Sequence, residues 1–382
     1  MGEHNQQDQT TVDFDILNVV GVRLENATAK QIAVISRQLG PPADAGRADP
    51  DILIRMVDKH AAFREMRLIG IQDSGFNDEG FFIVRDEKKD LQWARIDFQR
   101  ISEPLTIHCT GGGLASVSSL LTPILNFMML AKDYIPLHAA AFEYLGKGVL
   151  LTGWSKSGKT ETLLAFMEAG AKYIGDEYIY IDLNGDRMYG IKKPVTLWEW
   201  HLAELKRYWP AIDGKERHRI RILSNTLNFL DWTVRKRIIP AGFLRNVADQ
   251  FTAEIRRRRA TKIYPQKLFG QEVIKNDSGI DKIIFTVTHR SQEVRVDRMD
   301  PVEVAKRMVH SHQHQRLFFQ SFYYKYRFSF PERINPLVEN AGRMEESALI
   351  RVFSGKDAFG FYHPCPVSFK AVFEALDPLL RS

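Results

Sequence analysis

The sequence has few cysteines and no segment that resembles a secretion signal. Among its 382 residues there are only two cysteines, Cys109 and Cys365, which lie far apart and have no metal-type partner nearby. A disulfide framework or a structural zinc site is therefore not supported. Residues Met1 to Thr10 are polar and contain no apolar stretch, so no secretory signal is readable and we expect a cytoplasmic protein.

The sequence also lacks a good membrane span. The longest stretch without a charged residue, Cys109 to Ala131, contains three consecutive glycines, three serines, Pro123 and Asn126. Such a composition is poor for crossing a bilayer. Its second half instead repeats apolar residues at helical spacing, which predicts a buried amphipathic helix. The repeating residues are Val117, Leu120, Leu121, Ile124, Leu125, Met128 and Met129.

Positive charge is concentrated in one segment. Apolar residues make up 44% of the chain and charged residues 26%, as in soluble globular proteins, and the net charge is +6. The segment from Lys206 to Lys262 contains fifteen Lys and Arg but five Asp and Glu, a net charge of +10, so the rest of the chain carries −4. This segment ends in the run Arg256, Arg257, Arg258 and Arg259. It is either a solvated helical face or a dock for an acidic peptide, a protein or nucleotide phosphates. Nucleic acid is disfavoured, because no RNA-binding signature is present.

Short apolar runs broken by polar turns predict strands in the first hundred residues. These runs are 51–57, 81–84, 93–97 and, after them, 105–109. Further along, Val149 to Thr152 is an apolar strand, and a helix is predicted from Lys159 to about Glu168 because Gly170 supplies a stop. Asn184-Gly185 predicts a hairpin. Residues from Trp198 to Arg259 are helical and basic in pattern.

One motif carries the strongest functional signal. The octapeptide that begins at Gly153 matches G-x-x-x-x-G-K-[ST] without deviation. An apolar strand precedes it directly and a helix follows it directly, which is the context that a phosphate-binding loop needs. The predicted nucleotide-binding residues are Gly153, Trp154, Ser155, Lys156, Ser157, Gly158, Lys159, Thr160 and Glu161.

Each fixed position of this motif has a chemical reason. The glycines allow successive backbone N–H groups to turn toward phosphate oxygens, and the positive end of the following helix points at the same place. Lys159 brings a positive charge to the outer phosphates, and the Thr160 hydroxyl is a ligand for Mg²⁺. The motif thus predicts binding of ATP with Mg²⁺.

An acidic pair, Asp176-Glu177, follows Thr160 by sixteen residues, after the predicted helix and a very short strand. A carboxylate at this position can face the terminal phosphate and accept a proton from an incoming hydroxyl. The alternative is an ordinary pair of turn residues. No apolar strand of four or more residues ends in Asp further downstream, because the strand over 283–288 is followed by His289.

These features together resemble a known family. His138, the segment from Gly148 to Thr162, and Tyr173-Ile-Gly-Asp-Glu177 are similar to the catalytic core of HPr kinase/phosphorylase, which shares its core with ATP-dependent phosphoenolpyruvate carboxykinase. The close resemblance runs from His138 to Asp182. It implies an α/β fold with a P-loop kinase core of this type, behind an N-terminal strand-rich α/β region. The implied regions are 1–104 and 105–382, the second with a basic helical insert at about 198–262.

The resemblance also implies roles for individual residues. Asp176 matches the carboxylate that acts as base toward the acceptor hydroxyl, and Glu177 matches the second acid, on the metal side. His138 matches the histidine beside the reacting phosphate, although a histidine satisfied within the core is the alternative. Glu161 matches the acidic residue after the P-loop hydroxyl. Two departures are that Glu177 stands where the family has Asp, and that the family's Arg-Gly-Leu-Gly signature has no clear counterpart.

The predicted function is transfer of the γ-phosphoryl group of ATP to a hydroxyl, in first place a Ser or Thr of a protein or peptide. A kinase for a small hydroxylated metabolite and a regulator that binds ATP without turnover are the alternatives. The regulator is disfavoured by Asp176, since a sensor needs no base. The missing signature leaves open whether inorganic phosphate reverses the reaction, and the oligomeric state is open as well.

Overall fold

A computed structural model describes residues 10–46, 48–58, 66–70, 73–87, 90–235 and 260–381. Within these ranges the α-helices are α1 Ala29–Leu39, α2 Leu114–Ala131, α3 Lys159–Glu168, α4 Glu199–Glu204, α5 Gly214–Arg235, α6 Pro265–Phe269, α7 Pro301–Gln315, α8 Leu317–Ser329, α9 Pro336–Phe353 and α10 Phe369–Arg381. The first ten strands are β1 Thr10–Ile16, β2 Val20–Ala27, β3 Ile52–Met56, β4 Arg67–Ile69, β5 Ser74–Asn77, β6 Gly80–Glu87, β7 Asp90–Arg95, β8 Leu105–Cys109, β9 Tyr134–Leu137 and β10 Ala140–Tyr144. The others are β11 Lys147–Gly153, β12 Lys172–Gly175, β13 Ile179–Asp182, β14 Arg187–Gly190, β15 Val195–Leu197, β16 Thr261–Ile263, β17 Asp277–Gly279, β18 Lys282–His289, β19 Arg295–Arg298 and β20 Asp357–Pro364.

The N-terminal region forms an eight-stranded sheet in the order β1-β2-β3-β8-β7-β6-β5-β4. Strands β2, β3 and β8 are parallel, and the other pairs are antiparallel hairpin-like neighbours. The strands predicted from the apolar runs are confirmed here. Strand β8, which the predicted division at residue 104 assigns to the second region, pairs with β3 and β7 of the first. The division into two regions stays a prediction.

Helix α2 packs inside the protein beside this sheet. It is the one helix, within the ranges that the structure describes, that is long and apolar enough to cross a membrane, and 72% of it is buried in the protein. Its apolar side chains belong to the same core as β1, β2, β3 and β8. The predicted buried helix is therefore confirmed.

The second large sheet has six strands in the order β12-β10-β11-β18-β20-β19. Strands β11, β18 and β20 are parallel, so their carboxyl ends lie at one edge. Val149 and Leu151 of β11 pack with α3 and α10 on one face, whereas Leu150 packs with α7 and α9 on the other. Burial on both faces explains why β11 reads as a continuous apolar run.

Two smaller sheets complete the fold that the structure describes. One has the order β17-β14-β13-β9, and the other pairs β15 with β16. The predicted Asn184-Gly185 turn joins β13 to β14, with a φ of 76° at Gly185 that favours glycine. The helical prediction for the basic segment is confirmed for α4 and α5, and residues 236–259 lie outside the described ranges. The protein is thus a mixed α/β structure with several sheets.

Candidate active site

The loop between β11 and α3 fits closely against the neighbouring strands. Gly153 and Gly158 have φ values of 135° and 98°, which side chains rarely adopt. A Cβ on Gly153 would lie 2.5 Å from the Thr286 carbonyl oxygen, and one on Gly158 would lie 2.2 Å from His363 Nε2. Only glycine fits at either position. The helix that follows, α3, begins at Lys159 and directs its N-terminus at the loop, as the sequence predicted.

Hydrogen bonds from β18 and β20 fix the floor of the loop. Thr286 Oγ1 donates its hydrogen to the Thr152 carbonyl at 2.9 Å. Ser157 Oγ lies 2.6 Å from Thr286 Oγ1 and is therefore the donor in that contact. His363 Nε2 donates to the Ser157 carbonyl at 3.0 Å. Neither Thr286 nor His363 belongs to a local motif, because both come from strands more than a hundred residues further along the chain.

Lys159 folds back over the loop. Its Nζ donates to the carbonyl oxygens of Gly153, at 3.1 Å, and Trp154, at 2.7 Å. Because an ammonium group has three hydrogens, one remains for a ligand. Burial lowers the pKa of Lys159 to about 8, and the charges of Asp176 and Glu161 oppose this shift. The lysine is thus held in place by the loop that it closes.

Asp176 lies directly beside the P-loop hydroxyl. Thr160 Oγ1 is 3.3 Å from Asp176 Oδ1 and 3.2 Å from Oδ2, and Asp176 is 7% exposed. Burial and the neighbouring charge of Glu177 raise the pKa of Asp176 to about 6. Asp176 follows directly after strand β12, which ends at Gly175. In the sheet β12 lies next to β10, which in turn pairs with β11, so the end of β12 is close to the loop.

The oxygen donors at this point suit a hard cation. A hydroxyl and a carboxylate, completed by phosphate oxygens and water, form the kind of site that Mg²⁺ uses in phosphoryl transfer. No group of three or more His, Cys, Asp or Glu that could hold a metal ion occurs among the described residues. A magnesium ion bound through one or two protein oxygens therefore fits the residues present, and a cage made only of protein ligands does not.

Glu177 points to a different partner. It has a φ of 71°, and its Oε2 is 3.2 Å from Lys193 Nζ. Lys193 is 5% exposed, and its ammonium lies 5.4 Å from the centre of the Tyr178 ring. Sequence reasoning missed Lys193, because Lys192 and Lys193 stand in a plain loop after β14 and match no motif. The assignment of Glu177 to the metal stays a prediction, and the carboxylate that contacts Thr160 is that of Asp176.

His138 lies between β9 and β10 and faces the same group of charges. Its ring is 5.9 Å from that of Tyr178, and its buried Nδ1 has no hydrogen-bond partner among the described residues. Burial lowers the pKa of His138 to about 3, with help from the charges of Lys159 and Lys193. The imidazole is therefore neutral at physiological pH, and it borders the site that the resemblance predicted for it.

Glu161 ties the first turn of α3 to α4. The Trp198 backbone N–H donates to His201 Nδ1 at 3.2 Å, so it is Nε2 that carries the hydrogen and donates to Glu161 Oε1 at 3.0 Å. Burial acts to raise the pKa of Glu161, but the interactions with His201, a backbone hydrogen bond and the Trp200 N–H together outweigh it, so the pKa is lowered. Trp200 Nε1 lies 3.5 Å from the same oxygen, and its ring stacks on that of Trp198.

Helix α7 borders the other side of the loop. The Gly153 N–H donates to Met308 Sδ at 3.2 Å, and the Trp154 ring packs on His314 at 4.9 Å. His312 of the same helix is fully buried, with Nδ1 3.1 Å from Glu345 Oε1. The alternating histidines at 310, 312 and 314 therefore point to different surroundings and do not form a metal site.

A buried polar chain runs from β13 to α9. Tyr180 donates to Asn126 Oδ1 at 2.9 Å, which leaves the Asn126 amide hydrogens for His312 Nε2 at 3.4 Å. His312 Nδ1 lies 2.9 Å from a guanidinium nitrogen of Arg316 and 3.1 Å from Glu345 Oε1, and Glu345 also binds the guanidinium of Arg316. This chain links α2, β13, α7 and α9, so it holds in place the helix that contacts the loop.

The structure thus brings together Lys159, Thr160, Asp176, Glu177 and His138 around one end of the loop, with Lys193 as an additional cation. Trp154 is 48% exposed, and Lys156 is exposed as well. The predicted acceptor dock, Arg256 to Arg259, lies outside the described residues. The roles assigned to all of these residues stay predictions.

Comparisons with known proteins add little detail. No protein-family model matches this chain. Among solved structures, the chain is similar to the HPr(Ser) kinase/phosphatase from Coxiella burnetii, with a TM-score of 0.22 and 15% identity over 43% of this chain and 77% of that one.

Proposed function

We propose that this protein is an ATP-dependent phosphotransferase with a core of the HPr-kinase type, which transfers the γ-phosphoryl group of ATP to a hydroxyl. The observation that carries the proposal is the contact of the buried Asp176 carboxylate with the Thr160 hydroxyl, at the N-terminus of α3 behind a complete phosphate-binding loop. A nucleotide-binding loop alone would serve any ATP-binding protein. A buried carboxylate beside the outer phosphates adds a group that can accept a proton.

In the proposed reaction the acceptor oxygen attacks the γ-phosphorus, the bond from that phosphorus to the leaving oxygen of ADP breaks, and the acceptor proton passes to Asp176. Lys159 and the loop N–H groups would hold the outer phosphates. Thr160, with Glu177 as the second ligand that the resemblance implies, would hold a magnesium ion, which would neutralise charge on the phosphate oxygens. Lys193 supplies a second positive charge next to Glu177. His138, being neutral, serves as a hydrogen-bonding group beside the transferred phosphoryl.

The acceptor is proposed to be a Ser or Thr side chain of a protein or peptide. The support is the sequence resemblance from His138 to Asp182, together with the concentration of positive charge between Lys206 and Lys262. An acidic peptide would be attracted to such a segment. In the described part of it, Arg207 and Arg219 already pair with Glu168 and Glu216. The dock is proposed for the run 256–259, where four arginines follow one another.

The test is incubation of the protein with ATP labelled at the γ-phosphate, with Mg²⁺, alone and with a cell extract. New phosphate is then located by mass spectrometry on protein and on small molecules. We expect label on Ser or Thr of a protein, and none when Lys159→Ala replaces the wild type. Label confined to a metabolite would establish the small-molecule kinase instead. ATP binding without any labelled product would establish the regulator and overturn the proposal.

A further inference from the structure

A surface cavity of about 410 Å³ lies near the phosphate-binding loop and has no part in the roles described so far. It is lined by Thr288, His289, Arg290, Gln292, Pro364 and Cys365. These residues stand at or just beyond the carboxyl ends of β18 and β20. In open α/β sheets ligands bind outside the carboxyl ends of the strands, so the position of this cavity is that of a ligand site.

The order of strands determines which part of a nucleotide would reach this cavity. Strand β11, which leads into the loop, has β10 and β12 on one side and β18 and β20 on the other. Asp176, which contacts the magnesium-binding hydroxyl, follows β12. The outer phosphates therefore belong to the β12 side. The ends of β18 and β20, on the opposite side of the loop, are then the side left for the remainder of a nucleotide.

The cavity adjoins the loop directly. His363, which donates to the Ser157 carbonyl, immediately precedes the lining residues Pro364 and Cys365. On the helix side, the negative charge of Glu161 is close enough to Cys365 to add to the effect of burial in raising the pKa of the thiol. Glu161 is the residue after Thr160. The cavity therefore lies beside residues that contact the loop and the first turn of α3.

The lining has the chemistry that a purine base requires. Gln292 offers a donor and an acceptor, the pair that matches the N6 and N7 edge of adenine. Arg290 carries a planar cation of the kind that stacks on aromatic rings. His289 Nδ1 is a buried nitrogen without a hydrogen-bond partner in the part of the chain that the structure describes. Pro364 adds an apolar surface, and the volume falls in the usual range of small-molecule sites.

We propose that this cavity receives the purine base of the nucleotide whose phosphates the loop at 153–160 holds. The inference rests on the proposed function, since it assumes that the loop binds ATP. It adds a binding site for the base, formed by the segments 288–292 and 364–365. Neither segment carries a sequence signature of nucleotide binding.

Cys365 makes a direct test possible. The chain has two cysteines; Cys365 is exposed at the cavity, whereas Cys109 is fully buried and serves as an internal control. The rate of alkylation of Cys365 by iodoacetamide is measured by mass spectrometry at one fixed pH. It is compared for the free protein and in the presence of saturating Mg-ATP, Mg-ADP or Mg-tripolyphosphate, with binding of each ligand measured by calorimetry.

We expect Mg-ATP and Mg-ADP to slow alkylation of Cys365 at least fivefold, while Mg-tripolyphosphate binds but leaves the rate unchanged. Tripolyphosphate fills the loop without a base, so this pattern assigns the protection to the base. Binding of ATP without protection of Cys365 would overturn the inference and leave the proposed function intact. Equal protection by tripolyphosphate would do the same, because the phosphates alone would then close the cavity. If neither Mg-ATP nor Mg-tripolyphosphate bound, the proposed function would be overturned together with the inference.

Substitutions provide an independent check. Gln292→Ala and His289→Ala should each weaken binding of Mg-ATP roughly five- to tenfold, the effect of a lost hydrogen bond, without changing the affinity for Mg-tripolyphosphate. Glu293→Gln is the matched control, because Glu293 is exposed in the same loop but does not line the cavity. An equal loss of affinity for both ligands, or an effect of the control as large as that of Gln292→Ala, would contradict a base site.

Discussion

The ammonium group of Lys193 lies 3.2 Å from the carboxylate of Glu177, and the lysine is 5% exposed. A buried lysine is expected to have a partner, because desolvation of an unpaired charge is costly. Here the partner is half-exposed and belongs to the acidic pair that follows β12. Glu177 thus balances the charge of Lys193 in the protein alone, and a bound triphosphate would add further negative charge at the same place.

The first prediction concerns Lys193. If its ammonium contacts the γ-phosphate, Lys193→Ala should weaken binding of Mg-ATP about tenfold more than binding of Mg-ADP, since a charge-assisted hydrogen bond is worth about 1.5–3 kcal/mol. Calorimetry with both nucleotides measures this difference. Lys192→Ala is the control, because Lys192 is adjacent in sequence and exposed. Equal affinity losses for ATP and ADP would indicate that Lys193 only holds Glu177 in place.

The second prediction concerns the loop. Lys159→Ala should abolish ATP turnover and weaken ATP binding, because the lysine contacts the loop at Gly153 and Trp154 and in the proposed function supplies charge to the outer phosphates. Turnover is followed as release of ADP, and binding by calorimetry. Lys147→Ala, at the start of β11 and away from the loop, controls for the loss of a lysine outside the site. Wild-type turnover in Lys159→Ala would mean that the loop is not the active site.

The third prediction separates the two acids. Asp176→Asn should leave ATP binding largely intact and reduce phosphoryl transfer by about 10²–10⁴-fold, the usual effect of a lost general base. Glu177→Gln should instead raise the concentration of Mg²⁺ needed for half-maximal transfer. Magnesium titrations of both variants measure this. If only Asp176→Asn raised the magnesium requirement, Asp176 would be the metal ligand and Glu177 the base. The contact of Asp176 with Thr160 is the reason to test for this outcome.

The fourth prediction concerns stability in acid. Burial and the charge of Arg316 hold the pKa of His312 well below its usual value, and burial lowers the pKa of His138 to about 3. In the unfolded chain both titrate near pH 6.5. The folded state therefore binds fewer protons than the unfolded state below this pH, so the stability that these groups contribute is complete above pH 6.5 and declines as the pH falls toward 3. Asp176, whose folded pKa of about 6 is raised, acts in the opposite sense between pH 6 and 3.8.

Urea unfolding at pH 7.5 and pH 5 tests this balance. His312→Gln should lower the free energy of unfolding at pH 7.5 by about 1–3 kcal/mol, because it disturbs the buried hydrogen bonds to Asn126 and Arg316. The same variant should lose less stability than wild type between the two pH values. His310→Gln is the control, since His310 is exposed on the same helix. A pH dependence unchanged by His312→Gln would contradict the assignment.

The fifth prediction concerns the basic segment and rests on the sequence alone. Neutralising Arg256 to Arg259 together should raise the KM for the acceptor and leave the affinity for ATP unchanged. Acceptor phosphorylation by the wild type should also fall steeply with added salt, because exposed charges are screened beyond about 10 Å at 0.1 M. The measurement is a salt titration of both proteins. If wild type and the neutralised variant had the same salt response and the same KM for the acceptor, the segment would be a solvated face. A loss of ATP affinity in the variant would instead place the arginines at the nucleotide.

The sequence by itself determined the parts of the site that are local. The strand β11, the loop and helix α3 follow one another within about twenty residues, so apolar patterning, glycine positions and the helix stop at Gly170 were sufficient to predict them. The short path from α3 through β12 likewise made the position of Asp176 predictable. The helix α2 was predictable because its apolar residues repeat at helical spacing over four turns.

Tertiary structure alone decided which distant segments surround the loop. Lys193, Met308 and His363 reach it from separate elements, and no motif marks them because each is held there by packing of the sheet and its flanking helices. Strand pairing also placed β8 in the N-terminal sheet. The aromatic helix α8 packs into the core of that sheet through Phe319 and Tyr326. Such contacts depend on side chains that meet only after the chain has folded, so local sequence patterns do not encode them.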